Sequence, residues 1–361
     1  MKRSTLFCAL FGSLLVPATA AEPLPRLEKT NLLAFRDASG EIRPVTTISE
    51  WDHRRHDILA AMERIMGTLP GPEKRCSLDV KVEEEIDAGD HVRRLLSYQS
   101  EPGGRVPAYL LIPKAALATS EHTFPAVLCL HPTDATRGHK TVVLAEGAHP
   151  YALELTRRGF VTIAPAYPLL ANYQPDLRKL GYASGTMKAI WDNIRALDLL
   201  QTLAFVKADG FGVIGHSLGG HNAIYTAVFD PRVKAIVSSC GFDSFTDYYS
   251  GDARVWQPGQ GWTQERYMPR LAMYAGRLAQ IPFDFHEVVA ALAPRPVFVN
   301  APLYDSNFQA RSVDEIVAAA KRVYALYGAV ERLEVAHPDC AHDFPAAMRE
   351  RAYGVLEGSL R

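Results

Sequence analysis

The chain has 361 residues, 48% of them apolar, with 39 Lys and Arg against 40 Asp and Glu. That composition excludes a disordered or fibrous protein, and a formal net charge of -1 excludes the broad electrostatic attraction by which proteins hold nucleic acid or anionic membranes. The length accommodates one large domain or two ordinary ones.

Lys2 and Arg3 precede an apolar run over 6–16, and Ala18-Thr19-Ala20 supplies small residues for cleavage, the pattern of a secretory signal over residues 1–20. The run is shorter than the roughly 20 residues a membrane span needs. The expectation is an exported protein, secreted or periplasmic, cut near Ala20, with no membrane span. Cys8 lies early in the run, away from the cleavage site, which argues against a lipid anchor. The mature chain keeps Cys76, Cys129, Cys240 and Cys340. An exported chain permits disulfides, but spacing chooses no pairing, and Cys129, inside an apolar strand, reads as a buried thiol.

Residues 21–75 read as an N-terminal arm and a helix. The stretch 22–48 has several prolines and no sustained period. Ser49 then offers a cap for a helix in which Trp51, Ile58, Leu59, Met62, Ile65 and Met66 share one face, ending before Leu69-Pro70-Gly71. The remainder, 76–361, reads as one domain. Extended stretches over 77–86, 91–99 and 105–112, separated by Gly89 and by Pro102-Gly103-Gly104, predict antiparallel strands. From Phe124 apolar strands (126–130, 161–164, 211–214, 233–237, 297–299, 333–335) alternate with helical segments (about 150–158, 185–206, 219–229, 313–326, 344–356). This order predicts an α/β fold whose largely parallel sheet is covered on both faces. The segment 243–285 breaks the alternation and carries Tyr248, Tyr249, Trp256, Trp262, Tyr267 and Tyr274. It reads either as a functional lid or as an aromatic packing extension.

Gly215-His216-Ser217-Leu218-Gly219 follows a predicted strand and opens a predicted helix, the context of a serine held on a sharp strand-to-helix turn. The glycines let the two backbones approach, and the Leu218 N–H, at a helix N-terminus, can hold a developing oxyanion. Serine needs a base, and the expected chain order is serine, acid, histidine. His337 and His342 both follow the last strand, and His342, in the loop before the final helix, is the better placed. Asp305, in the loop after the 297–299 strand, is the expected acid that orients the imidazole, with Asp243 as second choice. A second oxyanion donor should come from the loop after the 126–130 strand. Pro132 has no N–H, so the backbone amide of Thr133 is the candidate. The cluster over 337–343 matches no closed zinc spacing, and no nucleotide fingerprint or phosphate loop appears. No cofactor and no metal are expected.

These residues resemble the α/β-hydrolase superfamily over roughly 77–361. The Gly215–Gly220 segment looks like its nucleophile elbow. Ala293-Pro294-Arg295-Pro296 and His342-Asp343-Phe344-Pro345 are similar to segments of the dienelactone-hydrolase-like and acetyl-xylan-esterase-like branches, which overlap with the prolyl-oligopeptidase catalytic domain. The resemblance implies an eight-stranded, mostly parallel sheet with the site at the strands' C-terminal ends and the insertion after the sixth strand. The chain departs from it in having His131-Pro132 where many members have His-Gly, and in having Ser217 where dienelactone hydrolase has cysteine. The expected activity is a serine esterase working through an acyl-enzyme on a small-molecule or oligosaccharide ester of acetyl-xylan type. A serine peptidase or amidase, and a catalytically inactive binding protein on the same fold, are the alternatives. The sequence does not give the oligomeric state.

Overall fold

The computed structural model describes residues 26–146 and 148–361; the expected signal, residues 1–20, lies outside them. A small hairpin comes first, β1 (Ala34–Arg36) paired antiparallel with β2 (Ile42–Pro44). The helix Ile48–Met66 follows. Its cap is Thr47, not the expected Ser49: the Thr47 hydroxyl accepts from the Glu50 N–H, and the Glu50 carboxylate accepts from the Thr47 N–H at 2.9 Å. This reciprocal pair satisfies donors that a single serine would leave open.

The remaining strands are β3 (Lys81–Asp87), β4 (His91–Glu101), β5 (Gly104–Pro113), β6 (Ala126–Leu130), β7 (Val161–Pro165), β8 (Phe211–His216), β9 (Val233–Ser239), β10 (Val297–Asn300) and β11 (Leu333–Ala336). They form one sheet in the order β11-β10-β9-β8-β6-β7-β5-β4-β3. Pairings among β6 to β11 are parallel, and β5, β4 and β3 extend the sheet antiparallel. Among the described residues the sheet therefore has nine strands, not the eight implied by resemblance; β3 is added at the edge, where its largely exposed residues need only one neighbour. The winding reverses at β6, which lies between β7 and β8, and such a switch point opens a crevice at the strands' C-terminal ends.

Register aligns those ends. Leu130 pairs with Gly215, His216 with Ser239, and Ser239 with Asn300, which in turn pairs with Ala336. The loops that follow, carrying Thr133, Ser217, Asp243, Asp305 and His342, thus leave the sheet on one edge. Helices cover both faces. Ile48–Met66, Gly185–Gln201, Leu218–Phe229, Phe285–Ala290 and Ala310–Leu326 pack into the larger core, and Tyr151–Arg157 and Ala346–Leu360 into the smaller. Several expected boundaries move, among them the strand expected over 77–86, which is Lys81–Asp87, and the helix expected from 313, which begins at Ala310. The 185–206 helix stops at Gln201, where the Thr202 hydroxyl turns back to the Leu199 carbonyl at 2.7 Å. The last helix starts at Ala346, after Pro345, because Phe344 is fully buried in the smaller core.

The segment 243–285 is a run of short 3₁₀ turns ending at the Phe285–Ala290 helix. Its aromatic rings mostly pack on one another. Trp256 is 1% exposed, and Trp262 stacks on His221 at 4.0 Å and on Tyr248 at 5.2 Å. The start of the described chain clasps this segment: Lys29 pairs with Asp284 at 2.8 Å and donates to the Ser244 hydroxyl at 2.7 Å. Arg26 and Arg54 both meet the buried Glu287.

Candidate active site

Ser217 sits between the end of β8 and the helix Leu218–Phe229 with φ 54° and ψ -121°. A non-glycine residue at positive φ is strained, and that strain has to be held by its surroundings. Two contacts hold it: the Ser217 N–H donates to the Ser239 carbonyl at 2.8 Å, and its own carbonyl accepts from the His221 N–H at 3.0 Å. The glycines make room. A Cβ on Gly215 would stand 2.1 Å from the Gly219 backbone, and one on Gly219 would stand 1.9 Å from the Leu130 carbonyl oxygen. The turn thus presses the helix start against the end of β6.

The other expected residues gather on the same edge. His342 Nδ1 bonds Asp305 Oδ2 at 2.8 Å, and the Asp305 side chain is 1% exposed. Asp305 Oδ1 accepts the N–H groups of Asn307 and Phe308 at 2.8 and 3.2 Å, so both carboxylate oxygens are used. The two loops are also stitched by backbone bonds, Leu303 to Pro338 and Tyr304 to Cys340, each 3.1 Å. With Nδ1 committed to Asp305, Nε2 is the nitrogen available to take a proton. The His342 ring lies 5.0 Å from the ring of His216, Ser217's neighbour in the chain, and 6.0 Å from Phe308. Phe308 lines a cavity of about 370 Å³ with Ser217, Leu218 and Thr133.

The second-choice residues are placed elsewhere. Asp243 accepts from the Gln309 N–H at 3.0 Å, and burial pushes its carboxyl up to about 8, which favours the uncharged form. His337 is engaged by the Ala301 carbonyl at 2.7 Å and by Asp314 at 2.9 Å. Thr133 and Leu218 both line the cavity, and the Thr133 hydroxyl meets the Tyr267 hydroxyl at 2.9 Å. Cys76, Cys129, Cys240 and Cys340 are free thiols. Among the described residues, Cys240, Asp305 and His342 bring ligand-type atoms within 4.8 Å of one another. The Asp305–His342 bond and the Cys240 contact with the Asp343 carbonyl at 3.3 Å already satisfy that group without an ion.

Three supports have no motif in the sequence. His131 is buried, and burial lowers its imidazole to about 4. The neutral ring accepts the Tyr167 N–H at Nε2, 3.0 Å away, and its Nδ1 lies 2.7 Å from the Pro132 carbonyl, which fixes the loop bearing Thr133. Asn300 donates to the Ser239 hydroxyl at 2.8 Å and to the Asp343 carbonyl at 2.9 Å, tying β9 and β10 to the His342 loop. The Ser239 hydroxyl also lies 3.0 Å from His216 Nδ1. A polar residue closing a buried strand, as Asn300 closes β10, is the signal that could have flagged one of them.

The sheet order and this edge are those of the α/β-hydrolase fold. Residues 177–328 match the family model for glucuronyl esterase of fungi. The chain is 26% identical over 306 residues to "Putative hydrolase YtaP" of Bacillus subtilis (strain 168), covering 81% of this chain and 96% of that protein. It is 28% identical over 125 residues to 4-O-methyl-glucuronoyl methylesterase 1 of Wolfiporia cocos (strain MD-104), covering 32% and 31%. Among solved structures it is similar to a glucuronoyl esterase from Solibacter usitatus, with a TM-score of 0.70 at 20% identity over 94% of this chain and 98% of that one. These relatives are named as a hydrolase and as ester hydrolases. Among the described residues no helix is long and apolar enough to cross a membrane.

Proposed function

We propose that the protein is an exported carbohydrate esterase in which Ser217 is the nucleophile, His342 the general base and acid, and Asp305 the residue that orients His342. One observation carries this reading: a serine at positive φ heads a helix on the same sheet edge as a histidine bonded through Nδ1 to a buried carboxylate at 2.8 Å. The Ser217 hydroxyl gives its proton to His342 Nε2 as its oxygen bonds to the ester carbonyl carbon. The resulting oxyanion is held by the backbone N–H groups of Leu218 and Thr133. Its collapse breaks the bond to the alcohol, which leaves with the proton from His342. Water, deprotonated by the same imidazole, then releases the acid and restores Ser217. The carbohydrate assignment draws on the glucuronyl esterase match and on the amides of Gln260, Gln264 and Asn307 in the cavity wall, which suit hydroxyl-bearing ligands. The segment 243–285 serves as the wall over Ser217, and residues 1–20 as a cleaved export signal.

The test is hydrolysis of 4-nitrophenyl acetate, acetylated xylo-oligosaccharides and methyl glucuronate by the mature protein beside Ser217→Ala. Activity on a carbohydrate ester, abolished in the variant, is expected. A folded protein active on neither sugar ester, or one whose activity survives the substitution, overturns the reading.

A further inference from the structure

Among the described residues, Arg266 is the one charged side chain in the wall of the cavity that holds Ser217. Among the described residues no carboxylate lies within ion-pair distance of it: its Nη2 donates to the neutral Gln264 side-chain oxygen, and its Nε is buried with no partner. The guanidinium carbon lies 5.3 Å from the centre of the Tyr267 ring, and the Tyr267 hydroxyl reaches Thr133 at 2.9 Å. The backbone there is fixed as well. The Arg266 carbonyl accepts the Tyr167 hydroxyl at 2.7 Å and packs so tightly on Gly185 that a Cβ there would stand 2.3 Å from it.

A guanidinium keeps its charge at any working pH, and holding it in a cavity without a counter-ion costs solvation that a ring face and an amide oxygen only partly return. A sugar hydroxyl would add a hydrogen bond but no charge; a carboxylate adds both, in the forked geometry a guanidinium matches. Among the described residues no acidic side chain lines the cavity, so none of them repels such a group. We propose that Arg266 selects substrates carrying a free carboxylate in addition to the ester that is cleaved, as in acylated oligosaccharides with uronic acid residues. This rests on the esterase reading above and names its substrate class.

The experiment pairs substrates that differ in that charge: acetylated xylo-oligosaccharides with and without a glucuronic acid branch, and mono-4-nitrophenyl succinate against 4-nitrophenyl butyrate. The acidic member should win in kcat/KM by roughly tenfold or more, the order of one charge-assisted hydrogen bond, mainly through KM. Arg266→Gln should bring the ratio toward one, Arg266→Lys should keep part of it, and Arg270→Gln, an exposed arginine bonded to the Arg64 carbonyl, should leave it alone. A flat ratio in the wild type, or an undiminished one in Arg266→Gln, overturns the proposal while neutral-ester hydrolysis still upholds the esterase. Calorimetric binding of the same oligosaccharide pair to Ser217→Ala reads the preference without turnover. Equal affinity there refutes it even if no ester is hydrolysed.

Discussion

Replacing Asp305 by asparagine changes one atom and should disable the site through proton placement. Oδ1 of Asp305 accepts two backbone N–H groups, from Asn307 and Phe308, while Oδ2 faces His342 Nδ1 at 2.8 Å. In Asp305→Asn the two backbone donors keep the amide oxygen on their side, so the NH2 group points at Nδ1. Nδ1 must then accept, the ring proton moves to Nε2, and that nitrogen can no longer take the proton of Ser217. The wrong tautomer in such a triad lowers kcat by about 10⁴-fold, or about 5 kcal/mol of transition-state stabilisation. Asp243→Asn is the contrast. Burial pushes the Asp243 carboxyl up to about 8, toward its uncharged form, and an amide oxygen can accept from Gln309, so kcat should stay within about threefold. Initial rates on 4-nitrophenyl acetate for both variants, with circular dichroism to verify folding, decide the matter. An Asp305→Asn enzyme within tenfold of wild type, or equal damage in both variants, would refute the tautomer argument.

Other consequences can be measured independently. Gly219→Ala pushes a methyl to 1.9 Å from the Leu130 carbonyl oxygen. It should cost at least about 1–3 kcal/mol in a thermal melt and sharply reduce kcat; wild-type turnover would show that the close approach is unnecessary. Lys188 is fully buried between Asp192 and Glu101, at 2.5 and 3.0 Å. Lys188→Met should lose about 3–5 kcal/mol in urea unfolding because it strands a buried carboxylate, and a loss below about 1 kcal/mol would be contrary evidence. Burial lowers His131 and His286 to about 4 and His139 to about 3, from an ordinary 6.5. At these three rings the unfolded chain therefore binds more protons than the folded one below about pH 6.5. The stability these rings contribute is complete above that pH and falls by about 1.4 kcal/mol per group per unit toward pH 4. His139→Phe, which removes a ring whose nitrogens have no partner, should flatten the dependence of the urea midpoint on pH between 7 and 4.5; an unchanged slope would be inconsistent with this account.

The elbow is readable from the chain because its physics is local: two glycines, a serine, a strand before and a helix after. The order of strands and helices is readable for a similar reason, since burial on both faces leaves continuous apolar runs. What reaches across the sheet is not readable. His131, Ser239 and Asn300 act through bonds to Tyr167, His216 and Asp343, partners 23 to 43 positions away. The choice between Asp305 and Asp243 depends on which loop reaches His342, and order alone leaves both open. The aromatic residues of 243–285 stand out in composition, but not the direction they face: Trp256 and Trp262 turn inward, and Tyr249 is left 39% exposed. Arg266 carries no sequence signal; its significance is that, among the described residues, no carboxylate pairs with it.

The clasp formed by Arg26 and Lys29 on residues 284–287 joins positions as much as 261 apart. Closing so long a loop comes late in folding, because the ordering cost precedes any return from the contact. A chain emerging from its N-terminus holds these two cations unpaired until more than three quarters of it has been made. The wall over Ser217 is fastened only then, so a chain truncated before residue 284 would carry the serine elbow without a finished pocket.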